Sequence, residues 1–176
     1  MLNKKKLCSI ALVSIALIFM LVYIAGAAPF AFITNSGSNN VSVIDIATND
    51  VTATVIGLNN PFGVAVTPDG TKAYMVNSGN GTVSVINTTN NTAYCSVNVG
   101  SLPYGVAVTP DRSTVYVTNH SSYYFPGNTV SVINTSTNSI IAMVPVGNSP
   151  IGVVVTSDLL SPASHLQMAL LLMVPL

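Results

Sequence analysis

The sequence predicts an all-β chain folded as blades of a β-propeller, on three observations. Val, Ile, Thr and Ser alternate in short runs bounded by Gly, Asn, Asp and Pro, the period-two pattern of strands joined by turns. Three phrases then return in a fixed order. Val41-Ser42-Val43-Ile44-Asp45 recurs as Val83-Ser84-Val85-Ile86-Asn87 and as Val130-Ser131-Val132-Ile133-Asn134. Pro61-Phe62-Gly63-Val64-Ala65-Val66-Thr67-Pro68-Asp69 recurs over Pro103 to Asp111, and once more, incompletely, over Pro150 to Thr156. Phe32-Ile33-Thr34-Asn35 recurs as Tyr74-Met75-Val76-Asn77 and Tyr116-Val117-Thr118-Asn119. The third observation is the period: Val41 to Val83 is 42 positions and Val83 to Val130 is 47. Four antiparallel strands in about 42 residues is the size of one propeller blade.

Each element follows from its residues. Residues 1–27 read as a signal helix: Lys4, Lys5 and Lys6 form a positive start, Leu7 to Ile24 is apolar apart from Ser9, Ser14 and Tyr23, and Ala25-Gly26-Ala27 offers small residues for cleavage. The alternative is an uncleaved anchor, since Leu7 to Ile24 is just long enough to span a bilayer. Cys8 lies inside this segment as an apolar filler, so cleavage leaves Cys95 as the one cysteine and no internal disulfide. Residues 28–156 carry the repeats. In each unit a Gly-Val-Ala-Val-Thr strand is followed by a Tyr-Val-Thr-Asn strand, a Val-Ser-Val-Ile strand and a Thr-Ala-Thr-Val-type strand. Pro68-Asp69-Gly70 makes the first turn, because proline presets φ, aspartate bonds its own backbone and glycine accepts positive φ.

The strand count predicts an incomplete ring. The repeats begin with a Tyr-Val-Thr-Asn-type strand, so the expected tally is three strands, then four, four and one: twelve strands, about three blades' worth. Closed propellers have about 4–8 blades, so three should form an arc with two open ends. The longer second period places an insertion, within His120 to Asn128, in one loop. Residues 157–176 leave the pattern. Where it demands another Pro-Asp-Gly turn, the chain runs into Leu159-Leu160-Ser161-Pro162 and ends in an apolar stretch, Leu166 to Leu176, in which Gln167 alone is polar. This tail reads as a chain diverted from its repeat, the mark of a truncated member; the alternative is a membrane anchor, although 11 residues fall short of a spanning helix.

The Tyr116-Val117-Thr118-Asn119, Val-Ser-Val-Ile and Pro-x-Gly-Val-Ala-Val-Thr-Pro-Asp-Gly elements resemble the YVTN β-propeller repeat, over about Phe32 to Thr156. That resemblance implies a propeller fold and an archaeal or bacterial cell-surface protein, of the surface-layer type. It implies little about activity, since propellers carry many functions on one scaffold. Related propellers include lactonases and haem-containing reductases, but none of their functional residues is matched in this sequence.

Catalytic chemistry finds little support. The chain has no Glu; its acids are Asp45, Asp50, Asp69, Asp111 and Asp158. Asp69 and Asp111 hold equivalent turn positions, and Asp45 interchanges with Asn87 and Asn134, so these read as turn formers and not as paired acid and base. His120 and His165 are isolated, with no spacing for a zinc site. No catalytic, cofactor-binding or metal residue is therefore assigned and no cofactor is implied; whether the chain is an enzyme is left open, leaning against. Two other signals remain. Tyr123, Tyr124 and Phe125 put three aromatics in the inserted loop, a candidate interaction site for sugars or proteins. Asn40, Asn80, Asn87, Asn90, Asn119 and Asn134 each begin an N-x-S/T triplet, a candidate glycosylation site in an exported chain.

The charge balance agrees with export. Lys+Arg 5 against Asp+Glu 5 is neutral, but without residues 1–27 the balance is Lys72 and Arg112 against five aspartates, mildly acidic. With only 6% of residues charged, the chain has no basic patch for nucleic acid. The expectation is a secreted or cell-surface scaffold whose partners are other surface proteins, copies of itself or cell-envelope polysaccharide. Contact with the membrane would run through residues 7–24 if these are retained. The alternative is an extracellular propeller enzyme of lactonase or redox type that has lost part of its ring.

Overall fold

The computed structural model describes residues 29–122 and 125–156. The expected signal segment (1–27), the off-pattern tail (157–176), Tyr123 and Tyr124 lie outside the described residues. What is described is all-β, in three antiparallel sheets of three, four and four strands. The first holds β1 (Phe30–Asn35), β2 (Asn40–Asp45) and β3 (Val51–Val55). The second holds β4 (Pro61–Val66), β5 (Lys72–Asn77), β6 (Thr82–Asn87) and β7 (Thr92–Asn98). The third holds β8 (Pro103–Val108), β9 (Thr114–Ser122), β10 (Phe125–Asn134) and β11 (Ser139–Pro145).

Strand order within each sheet is sequence order, so every blade is an antiparallel meander. The Gly-Val-Ala-Val strands β4 and β8 are the innermost: β4 packs against both β1 and β8, and so links the three blades. A register shift recurs at the same place in each blade, between Val43 and Ile44, Val85 and Ile86, and Val132 and Ile133. Such a bulge increases the local twist, so its repetition gives the three blades one shape.

Alternation puts one side of each strand into the space between blades. Between the first and second blades lie Val41, Val43 and Val55 against Ala73, Met75 and Ile86. Between the second and third lie Tyr74, Val76, Val83 and Val85 against Val115, Val117 and Ile133. Complete burial of a Val or Ile contributes roughly 1.5–3 kcal/mol, and the middle blade is buried on both faces. The outer blades show what a missing neighbour does. Val97 in the middle blade is 6% exposed, while its counterpart Val144 in the third is 42% exposed. Met75 is fully buried, while its counterpart Ile33 in the first blade is 45% exposed.

Two sequence expectations need correction. Among the described residues the twelfth strand, expected over Gly152 to Thr156, is not formed: residues 151–156 pair with no other described strand. Its ladder partner would be a further Tyr-Val-Thr-Asn strand, and the sequence departs from the pattern before reaching one. The insertion within His120 to Asn128 is not a simple loop either. It prolongs the β9–β10 hairpin, with Phe125 opposite Ser122 and Pro126 opposite Ser121, because the added residues fall on both arms and pair with each other.

Candidate functional site

The antiparallel meander gives the arc two chemically different ends. At one end the β4–β5 and β8–β9 turns carry Asp69 and Asp111. Asp69 Oδ1 accepts from the Thr67 hydroxyl at 2.6 Å and from the Thr71 amide at 3.2 Å. Asp111 Oδ2 accepts from the Ser113 hydroxyl at 2.8 Å, and its Oδ1 from the Ser113 amide at 3.0 Å. These bonds, led by that from Thr67, hold the Asp69 carboxyl well below the usual carboxylate range, with Arg112 next in effect. Asp111 is lowered to about 2, chiefly by the Thr109 hydroxyl. Both therefore stay ionised as turn braces, the role read from the sequence.

Sequence reasoning missed that this end also ties blades together. Arg112 Nη1 donates to Asp69 Oδ2 at 2.6 Å across the gap between the second and third blades. Lys72 Nζ donates to the Thr135 carbonyl at 3.3 Å across the same gap. Both cations outside the first segment thus lie on one blade boundary. The ion pair is exposed and contributes no more than about 1 kcal/mol.

The linkage with pH has a definite sign. Asp69 and Asp111 have folded-state pKa values depressed below the ordinary 3.8, so their stabilisation is complete above that value. It is lost as pH falls from 3.8 through the lower folded values. Denaturant midpoints measured downward from pH 7 should therefore hold until about pH 4 and then drop. Asp69→Asn should flatten that drop; an unchanged acid limb in the variant would show that Asp69 is not its source.

The opposite end contains the β5–β6 turn, the prolonged β9–β10 hairpin and the starts of the innermost strands. Here the middle residue of each Pro-x-Gly phrase is large: Phe62, Tyr104 and Ile151. The Phe62 and Tyr104 rings lie 4.3 Å apart between centroids, and the Tyr104 and His120 rings 5.5 Å apart. His120 Nδ1 is buried without a hydrogen-bond partner among the described residues. An aromatic row thus runs across the inner rim from the second blade to the third. The sequence signal was present in Pro-Phe-Gly and Pro-Tyr-Gly, but attention to the Gly-Val-Ala-Val-Thr residues alone passes over it.

Of the predicted interaction residues, Phe125 opens β10 at this end of the arc, while Tyr123 and Tyr124 are outside the described residues. The hairpin's base is anchored there, the His120 amide donating to the Leu102 carbonyl at 3.2 Å and the Ser121 amide to the Ser101 carbonyl at 3.1 Å. Tyr74 is no candidate proton donor. It is fully buried, and desolvation pushes its hydroxyl up to about 12.

The six predicted glycosylation asparagines divide between the ends. Asn87, Asn90 and Asn134 lie at the Asp69 end; Asn40, Asn80 and Asn119 lie at the aromatic end. Asn80 and Asn90 are exposed, and Asn40, Asn87 and Asn134 are half-buried. In Asn80, Asn87, Asn90 and Asn134 the side-chain oxygen accepts a local bond. Asn119 differs. It is 2% exposed, and its Nδ2 donates to the Thr129 and Ser131 hydroxyls, both at 3.0 Å. The folded chain uses that nitrogen as a clasp between β9 and β10.

No family model matches the chain. A stretch of 37 residues, 21% of this chain, is 57% identical to the PE-PGRS family protein PE_PGRS18 of Mycobacterium tuberculosis, of which it covers 8%. Among solved structures, the hydrazine synthase of Kuenenia stuttgartiensis is similar with a TM-score of 0.66 at 28% identity, over 70% of this chain and 34% of that one. AztD of Citrobacter koseri is similar with a TM-score of 0.57 at 18% identity, over 72% of this chain and 35% of that one, a likeness of fold alone. These neighbours are β-propeller-type proteins, so the arc of blades is a partial propeller. The chain spans about a third of each of these structures and less than a tenth of the mycobacterial protein.

Proposed function

We propose that the chain is an exported cell-surface or surface-layer-type scaffold built of YVTN-like propeller blades, which binds surface proteins or cell-envelope polysaccharide at its aromatic end. The observation that carries this reading is the Phe62–Tyr104–His120 row, set on the rim of innermost strands made of Gly, Val and Ala. Aromatic rings held by a rigid sheet offer contact area at small entropic cost and stack on sugar faces or partner side chains. The Ser-, Thr- and Asn-rich strands and low charge suit a surface that packs among neighbours, and the exposure of Asn80 and Asn90 suits glycosylation.

The direct test is retention of the purified chain on insoluble cell-envelope material. Tyr104→Ser together with Phe62→Ser should reduce the bound fraction at least tenfold, with the far-ultraviolet strand spectrum unchanged. Equal retention of the folded variant would overturn the assignment of the aromatic end. An intact mass equal to that of the bare polypeptide, from the native host, would remove the glycosylation.

A further inference from the structure

Two incomplete features of the arc match each other. In the complete blades the Gly-Val-Ala-Val strand pairs with the Tyr-Val-Thr-Asn strand: Val64 opposite Met75, Ala65 opposite Tyr74, and likewise Val106 opposite Val117, Ala107 opposite Tyr116. In the first blade β1 is the Tyr-Val-Thr-Asn strand, and among the described residues it pairs on one side only, with β2. At the Asp69 end, the start of β1 and the β4–β5 and β6–β7 turns of the second blade enclose a groove of about 600 Å³, onto which Phe30, Phe32 and Val66 face. At the far end of the arc, Gly152-Val153-Val154-Val155-Thr156 has the sequence of an innermost strand and no ladder partner among the described residues. Val154 is 86% exposed.

That segment already begins where the next blade's innermost strand should begin. In the arc, a β-carbon on Gly63 would collide with the Tyr104 carbonyl of the following blade, and one on Gly105 would collide with the Ile151 carbonyl. Thr34 donates to the Phe62 carbonyl at 2.6 Å, and Thr118 to the Ile151 carbonyl at 2.9 Å. Ile151 therefore occupies, against the third blade, the place that Phe62 occupies against the first. Blades two and three separate it from β1 of its own chain.

We infer that two copies of this chain join head to tail, residues 150–156 of each supplying the missing innermost strand of the other's first blade. The register follows from the complete blades: Val153 opposite Ile33, Val154 opposite Phe32 and Val155 opposite Ala31 of the partner subunit. The apolar faces then meet as they do inside the arc, the exposed Ile33 face against the exposed Val144 face. Three blades per copy give a ring of six, inside the four to eight that close. Because the contact is heterologous, closure at two copies also removes the free strand edges. The inference does not depend on where the chain is located or on what its aromatic end binds.

Gly152 provides the test. In the single chain a β-carbon there meets nothing within 4 Å, so Gly152→Val leaves the arc intact. In the ring it would meet the partner's Phe62 carbonyl, as a β-carbon on Gly63 meets Tyr104. Native mass spectrometry of the full chain released from detergent should show twice the 18.2 kDa chain mass. Gly152→Val should give the single mass with an unchanged strand spectrum. Ile33→Asp, on the receiving face, should do the same, and mixing the two variants should not restore a closed dimer, since a ring needs both joints. A wild-type monomer, a dimer that survives Gly152→Val, or an open-ended ladder of masses would each overturn the closed two-copy ring.

Discussion

Asn77→Ala is expected to lower the stability of the chain by about 3 kcal/mol, as read from the urea midpoint at neutral pH. Asn77 is 2% exposed at the end of β5, and its Nδ2 donates to the Thr82 hydroxyl at 3.0 Å and the Ser84 hydroxyl at 2.8 Å. Its Oδ1 accepts from the Asn59 amide at 3.3 Å, which fixes the approach to the innermost strand of the same blade. Alanine leaves the buried Ser84 hydroxyl and the Asn59 amide without this partner and takes one of two bonds from the Thr82 hydroxyl, which still donates to Asn80; each unsatisfied buried group costs roughly 1–3 kcal/mol. Asn77→Asp should cost less, because the Ser84 hydroxyl can turn to donate to a carboxylate and the Asn59 amide keeps an acceptor. A loss below about 1 kcal/mol for alanine would mean that the hydroxyls find other partners.

The same clasp stands in every blade. Asn35 Nδ2 reaches Asn40 Oδ1 and Ser42 Oγ, both at 2.9 Å, and Asn119 reaches Thr129 and Ser131. This explains why the repeat joins an asparagine at the end of one strand to a serine in the next. The sequence shows the recurrence of both residues but not that they touch, since the connecting turn differs in length and only the antiparallel register sets them side by side.

Local elements were legible for a related reason. Period-two alternation, Pro-Asp-Gly turns and a fixed repeat determine blades almost independently of one another, so strand order and the identity of the innermost strand in the complete blades follow from the residues alone. What depends on contacts between blades was not legible. The Arg112–Asp69 pair links residues 43 positions apart, and the Phe62–Tyr104 row joins equivalent positions of successive blades. Neither has a signature within one repeat. The unpaired state of residues 151–156 has the same origin, because a strand exists only when its ladder partner does, and composition alone reports the willingness to form one.

Gly63→Val is the second large effect, and it separates packing within the arc from packing between arcs. Gly63 carries no turn and no positive φ; its role is clearance, since its backbone lies against the Tyr104 carbonyl and Val106 of the neighbouring blade. Any β-carbon must push the innermost strands apart, and overpacking of this kind costs about 3 kcal/mol when the neighbour is backbone and cannot swing away. Gly63→Ala should cost about 2 kcal/mol, with no dependence on protein concentration, because both partners lie in one chain. The equivalent change at Gly152 should behave oppositely. Its cost should vanish in dilute solution and grow with concentration, since what it blocks is association with a second copy, and stability linked to association follows mass action. Urea midpoints of the two variants across a hundredfold range of protein concentration therefore give parallel flat lines if both glycines serve one chain, and diverging ones if Gly152 serves the ring.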